Sequence, residues 1–184
     1  KNTPKEKISA VFDLSKSTGN IMVQIFCAEF LWRVAIPMRM SQDEKAKIFG
    51  KYATSLYSIT ASSFRQGIFN FINEINEDRQ DVNRIIQIPI KNVIIGNCSI
   101  DGKHNLYLGI DSIVLCISNT NALSEFGSNS ELITLKKEDI AGIGNADNDF
   151  WCIGIDENFD TLPELFEDLY KIIFFKSKSI ANLK

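Results

Sequence analysis

Histidine is almost missing from this chain: His104 is the only one in 184 residues. A zinc site of the usual composition would thus have one imidazole to draw on, and a nucleophile–histidine pair has one place to form. The four cysteines, Cys27, Cys98, Cys116 and Cys152, are scattered without metal-ligand spacing. Cys116 and Cys152 sit inside apolar runs, where a free thiol behaves as a small hydrophobe, so buried thiols in a reducing compartment are expected. No phosphate-binding glycine loop is present, because Gly142-Ile143-Gly144 lacks the third glycine and the helix that would follow it. Long apolar runs are missing too. The stretch Ile21–Ile36 is broken by Gln24, Glu29 and Arg33 and is too short to span a bilayer. Only four prolines and a 45% hydrophobic content argue against wholesale disorder and for a proper core. Lys1 in first place reads as a trimmed start, and the cytoplasm is the expected compartment.

Charge is unevenly spread. The net charge is −3, but residues 1–85 hold 12 Lys and Arg against 9 Asp and Glu, and residues 86–184 hold 8 against 14. An acidic back half repels phosphate backbones and anionic headgroups, since both are bound through Lys and Arg. Nucleic acid and anionic lipid are therefore not expected as partners.

The pattern of residues predicts an α+β protein. Ile8, Val11, Phe12 and Leu14 suit a short first helix, and Lys16–Asn20 a turn. Ile21–Ile36 is apolar nearly all round; its length favours a helix, which Pro37 should end. Ser41-Gln42-Asp43-Glu44 matches a capping box, and Ile48, Phe49, Tyr52, Leu56, Ile59, Phe64, Ile68, Phe71, Ile72 and Ile75 recur at helical spacing after it. One long amphipathic helix is expected there, with residues 41–77 also offering a surface for homo-oligomerisation. The polar cluster Asn73–Asn83 should be its end and a linker, giving a helical region over 1–84 and an antiparallel β domain over 85–184.

In the second region Ile86, Ile88 and Ile90 alternate with polar residues and Pro89, which predicts an edge or broken strand. Asp101-Gly102 signals a hairpin leading into Leu106, followed by strands at 113–118, 132–135, 140–143 and 150–155. Asn119–Ser130 reads as a loop and Gly144–Asp149 as a turn. Asp160-Thr161-Leu162-Pro163 should open a closing helix with Leu165, Phe166, Leu169, Tyr170, Ile172 and Ile173 on its core face.

Little here suggests catalysis. A Cys98/His104 pair would need an orienting carboxylate, for which Asp101 and Asp111 are the candidates; a solvated histidine beside a hairpin accounts for His104 more simply. Asp147, Asp149, Asp156, Glu157 and Asp160 lack the glycine and glutamate positions of a calcium loop, and turns and a helix start explain them. Lys136-Lys137-Glu138-Asp139 lacks the upstream acid of a nuclease site. No catalytic residue, metal or cofactor is assigned. Phe150 and Trp151 open a strand, where alternation turns one of them outward as a possible interface anchor.

The run Asn105-Leu-Tyr-Leu-Gly-Ile-Asp-Ser-Ile-Val-Leu-Cys-Ile-Ser118, with Leu132-Ile-Thr-Leu-Lys-Lys-Glu-Asp-Ile140 after it, resembles pleckstrin-homology-like domains of the GRAM and bacterial type over residues 86–178. The resemblance implies a bent antiparallel sheet, as a barrel or open, capped by a C-terminal helix in a non-catalytic binding domain. It places Lys103 and His104 near a ligand-facing hairpin, where Lys91 is the only further basic residue. The expected function is a non-enzymatic adaptor that binds a protein partner, through Lys103, His104, Phe150 and Trp151. The alternative is a toxin-immunity or inhibitor protein whose acidic half blocks a basic active site.

Overall fold

The structure, a computed structural model, describes residues 5–95, 98–117, 132–147, 150–155 and 172–176. It is α+β, and the chain divides into two compact units, Lys1–Ile85 and Ile86–Lys184.

The first unit is helical: α1 (Lys5–Ser17), α2 (Ile21–Ala35), α3 (Gln42–Phe49), α4 (Ala53–Ser58) and α5 (Phe64–Glu77). Helix α2 starts where the Asn20 side chain accepts from the Val23 amide, and it stops before Pro37 as expected. Ser41 and Glu44 form the capping box of α3 through reciprocal side-chain bonds to each other's backbone amides.

The single long helix expected over 41–77 is instead three. Gly50 takes φ +56°, outside the helical region, and a 3-10 turn follows at Gly50–Tyr52. Ile59 and Thr60 are extended, and Thr60 caps a second 3-10 turn through the Ser63 amide. Gly67 does not break α5. It admits Ile59, whose side-chain carbons lie 2.9 Å from where a Cβ would stand. The apolar stripe of this region is core: Phe49, Leu56, Ile59, Ile68, Phe71, Ile72 and Ile75 are all buried. It is therefore not free to serve as the oligomerisation surface expected at 41–77.

The cluster Asn73–Asn83 holds the end of α5, as expected, but two of its polar residues are packed inward. Asn76 and Arg79 are buried. The Asn76 amide donates to Gln24 Oε1 at 2.7 Å and to the Ile72 carbonyl at 2.9 Å, while its oxygen accepts from the Ile85 amide at 3.1 Å. Gln24 in turn donates to the Ser15 carbonyl at 2.8 Å. Arg79 donates to the Thr18 and Ser17 carbonyls at 2.6 and 3.1 Å and pairs with Asp81. These bonds tie the end of α5 to the α1–α2 turn and satisfy groups that would be costly to bury unpaired.

The second unit is one antiparallel sheet of β1 (Ile86–Ile95), β2 (Cys98–Leu108), β3 (Ser112–Cys116), β4 (Leu132–Lys136), β5 (Ile140–Asp147), β6 (Phe150–Ile155) and β7 (Ile172–Lys176), in the order β4-β3-β2-β1-β7-β6-β5. The order is linear, so the sheet is open rather than closed into a barrel. Laid flat, its six inter-strand gaps of about 4.8 Å would hold β4 and β5 about 29 Å apart. Yet those two edge strands are joined by Lys137–Asp139 alone, a link that reaches no more than about 14 Å. The sheet must bend. Its inner face gathers Ile88, Ile90, Val93, Ile95, Ile100 and Leu106 with Ile113, Leu115, Ile117, Leu135, Ile153 and Ile155 into one cluster.

Local expectations at four places are revised here. Asp101-Gly102 is no hairpin turn, since β1 and β2 are joined through residues 96–97 and Asp101-Gly102 lies within β2. Gly102, at φ +138°, sits where the register advances two residues on β1 and three on β2, between Ile90↔His104 and Asn92↔Asp101. Of the two readings at Pro89, the edge strand fails and the broken strand holds: β1 lies between β2 and β7, but its ladder with β2 shifts between Ile90 and Asn92, and β7 pairs with it at Val93–Ile95, beyond Pro89. Ile172 and Ile173, expected on the closing helix, belong to β7. The rest of that helix, at 160–171, and the loop at Asn119–Ser130 fall outside the described residues. Part of the turn expected at Gly144–Asp149 is strand, because β5 continues to Asp147.

Candidate interaction surfaces

Strand β2 carries two of the expected contact residues and separates them. Lys103 is exposed beside the irregularity at Gly102, as is Lys91 on β1. His104 is not solvated: it is 1% exposed, and its Nε2 lies 3.2 Å from the Ile100 carbonyl. Burial holds the imidazole below its ordinary pKa of 6.5, with the Ile100 carbonyl and then Asp101 pulling the other way. Cys98 and His104 lie six residues apart on one strand, roughly 20 Å at strand rise, so they cannot form a nucleophile pair.

Phe150 and Trp151 begin β6, where Phe150 faces Asp147 and Lys176 and Trp151 faces Asn145 and Phe175 in the register. Their side chains lie outside the described residues, as do Asp149, Asp156, Glu157 and Asp160. Among the described residues, no group of three or more His, Cys, Asp or Glu is placed to hold a metal ion. Cys27 and Cys152 are free thiols, Cys116 is buried, and burial raises the Cys27 pKa. No helix among the described residues is long and apolar enough to cross a membrane.

The acidity of the back half lies outside its described residues. The described residues of the second unit hold Lys91, Lys103, Lys136, Lys137 and Lys176 against Asp101, Asp111, Glu138, Asp139 and Asp147, a balance of zero. The whole excess of −6 belongs to the segments between and after them, with nine Asp and Glu against three Lys. The half expected to be acidic is therefore neutral by composition over its described residues.

The helical unit holds a surface that residue periodicity did not single out. Helix α2 turns Ile21, Gln24, Ile25, Ala28, Leu31 and Ala35 inward. Its opposite side shows Phe26 and Phe30, 62% and 40% exposed, with Met22 one turn before them. Leaving a phenylalanine in water rather than burying it forgoes about 1.5–3 kcal/mol. Trp32 and Phe64 meet at a tilt of 56° with centroids 4.7 Å apart, and Trp32 Nε1 donates to the Ile59 carbonyl at 2.9 Å. The Arg33 guanidinium lies over Phe64, 5.7 Å from its centroid. The signal was present in the sequence: a helix apolar nearly all round must either be surrounded or leave one apolar face uncovered.

A second polar feature closes the unit on another side. Asp78 accepts from Lys51 Nζ and the Tyr52 hydroxyl, both at 2.5 Å. Burial and then this carboxylate push the Tyr52 pKa up to about 12, and the Lys51 bond, then that of Tyr52, lowers Asp78. Between α1 and α3 an open depression of about 450 Å³ is lined by Lys5, Glu6, Ser9, Glu44, Lys47 and Ile48, with Lys5 and Glu44 paired across it.

No family model matches the chain, and no curated protein matches it. Among solved structures, its fold is similar to that of a synaptonemal complex protein, with a TM-score of 0.69 at 15% identity. What is shared is the fold. The match covers 97% of this chain and 48% of the other, so the chain spans about half the length of that structure.

Proposed function

We propose that this chain is a non-enzymatic interaction module that binds a protein partner through its strand unit, and that this unit is pleckstrin-homology-like. The observation that carries the reading is the fold similarity along 97% of the chain to a protein named for a complex. The order β4-β3-β2-β1-β7-β6-β5, with a bend that gives one inner core, supports the resemblance drawn from residues 105–140. Exposed Lys103 on β2 and the opening residues of β6, Phe150 and Trp151, are the proposed contacts. His104 acts behind them, as a buried residue that keeps Lys103 at the strand irregularity.

The alternative, an inhibitor that plugs a basic active site, draws on the acidic segments outside the described residues. Salt separates the two. A partner captured from the native cell, purified and titrated back onto the full chain should bind without turnover and with a weak dependence on ionic strength. Steep loss of affinity with salt, together with inhibition of a nuclease partner, would favour the inhibitor; turnover of the partner would overturn both.

A further inference from the structure

We infer that the outward face of α2 is a self-association surface, on which two copies of the chain pair their α2 helices antiparallel about a two-fold axis near Phe30. Met22, Phe26 and Phe30 recur every fourth residue and form a single ridge, the shape that packs into the groove of another helix. The inward side of α2 is already occupied by α1 and α5.

Charge selects the occupant. Glu29 and Arg33 are one turn apart and border the ridge on the same side, so the face carries one charge of each sign and repels neither. With Phe30 opposite Phe30 of the second copy, each Glu29 lies about 3 Å along the axis from Arg33 of the other helix, and the pairing occurs twice. A second copy supplies this reversed order by symmetry, as an isologous contact does. Arg33 is held at the border of the face by Phe64 beneath it. The stripe at 41–77 cannot take this role, because it is buried within the unit. This inference stands apart from the proposed partner: that contact lies on the strands, and either surface can fail without the other.

Sedimentation equilibrium of the full chain over micromolar to submillimolar concentrations tests it. The wild type should show a monomer–dimer equilibrium. Phe30→Glu should weaken the dimer by about tenfold or more, as expected for a central apolar anchor, while Val82→Glu, at another exposed apolar position, should leave it unchanged. Glu29→Arg and Arg33→Glu should each weaken it, and the two together should restore it; these changes, at a half-buried and an exposed position, also decide the matter if Phe30→Glu fails to fold. A wild type that stays monomeric throughout, a dimer indifferent to Phe30→Glu, or a double variant that stays weak would overturn the proposed pairing.

Discussion

The helical unit and the strand unit bury apolar surface with different kinds of side chain. In the helices, Phe12 meets Phe49 edge-on at 5.3 Å between centroids and Tyr52 at 5.8 Å, Phe49 meets Tyr57 at 6.1 Å, and the Gln24–Asn76 pair fastens α2 to α5. The clustered core of the strand unit is Ile, Val and Leu, with Tyr107 the one aromatic among the buried side chains described there. The physical reason lies in the backbone. Helical hydrogen bonds are local and say nothing about how two helices meet, so directional side chains must fix their placement. A β ladder fixes register through the backbone itself, which leaves its core to interchangeable aliphatics.

The largest expected effect attacks the aromatic cluster. Phe71→Ala, at a fully buried position, should cost about 4 kcal/mol. Amide hydrogen exchange should show lost protection across α1–α5 with β1–β3 still protected, and equal loss in both units would break the comparison. Asn76→Ala comes next, at about 2 kcal/mol, since it strands Gln24 and the Ile85 amide in a buried place. Urea unfolding should register that loss; a neutral result would mean the polar bonds do not fix the helices.

The smallest effect concerns His104, a buried polar side chain of the strand unit. Because the folded pKa of His104 is lowered, its contribution is complete above the ordinary value of 6.5 and is lost as pH falls through that value toward the folded one, where the unfolded chain binds the proton first. The urea midpoint of the strand unit should therefore fall between pH 7 and pH 5, and His104→Gln should flatten that slope. An unchanged slope would sever it from His104.

How much of this was legible follows from the same contrast. The strands at 132–136 and 150–155 were readable because short apolar runs were bounded by turn residues. The capping box at Ser41 was readable because it depends on two side chains and their own backbone. The breaks at Gly50 and Ile59–Thr60 were not, because all three helices send their apolar residues into one core and the stripe continues across each break. Gly50 and the Thr60–Ser63 cap were the available signs. Asn76 and Arg79 were read only as part of a helix end and linker because polarity in a sequence does not reveal a buried partner 52 or 61 residues away. At the site, Asp101-Gly102 reads equally well as a turn or as a strand irregularity, and that ambiguity put His104 on the surface. The α2 face was hidden by its own uniformity, since a helix apolar all round gives no direction to its exposed side.

The central claim is that the strand unit holds a protein partner, and one measurement addresses it directly. Calorimetric titration of the purified partner should be made against the wild type, Lys103→Glu with Trp151→Ala, and Phe30→Glu. Saturable binding to the wild type and to Phe30→Glu, with loss of about tenfold or more in the strand double variant, is the predicted result. Undiminished binding by a folded strand variant would contradict the account.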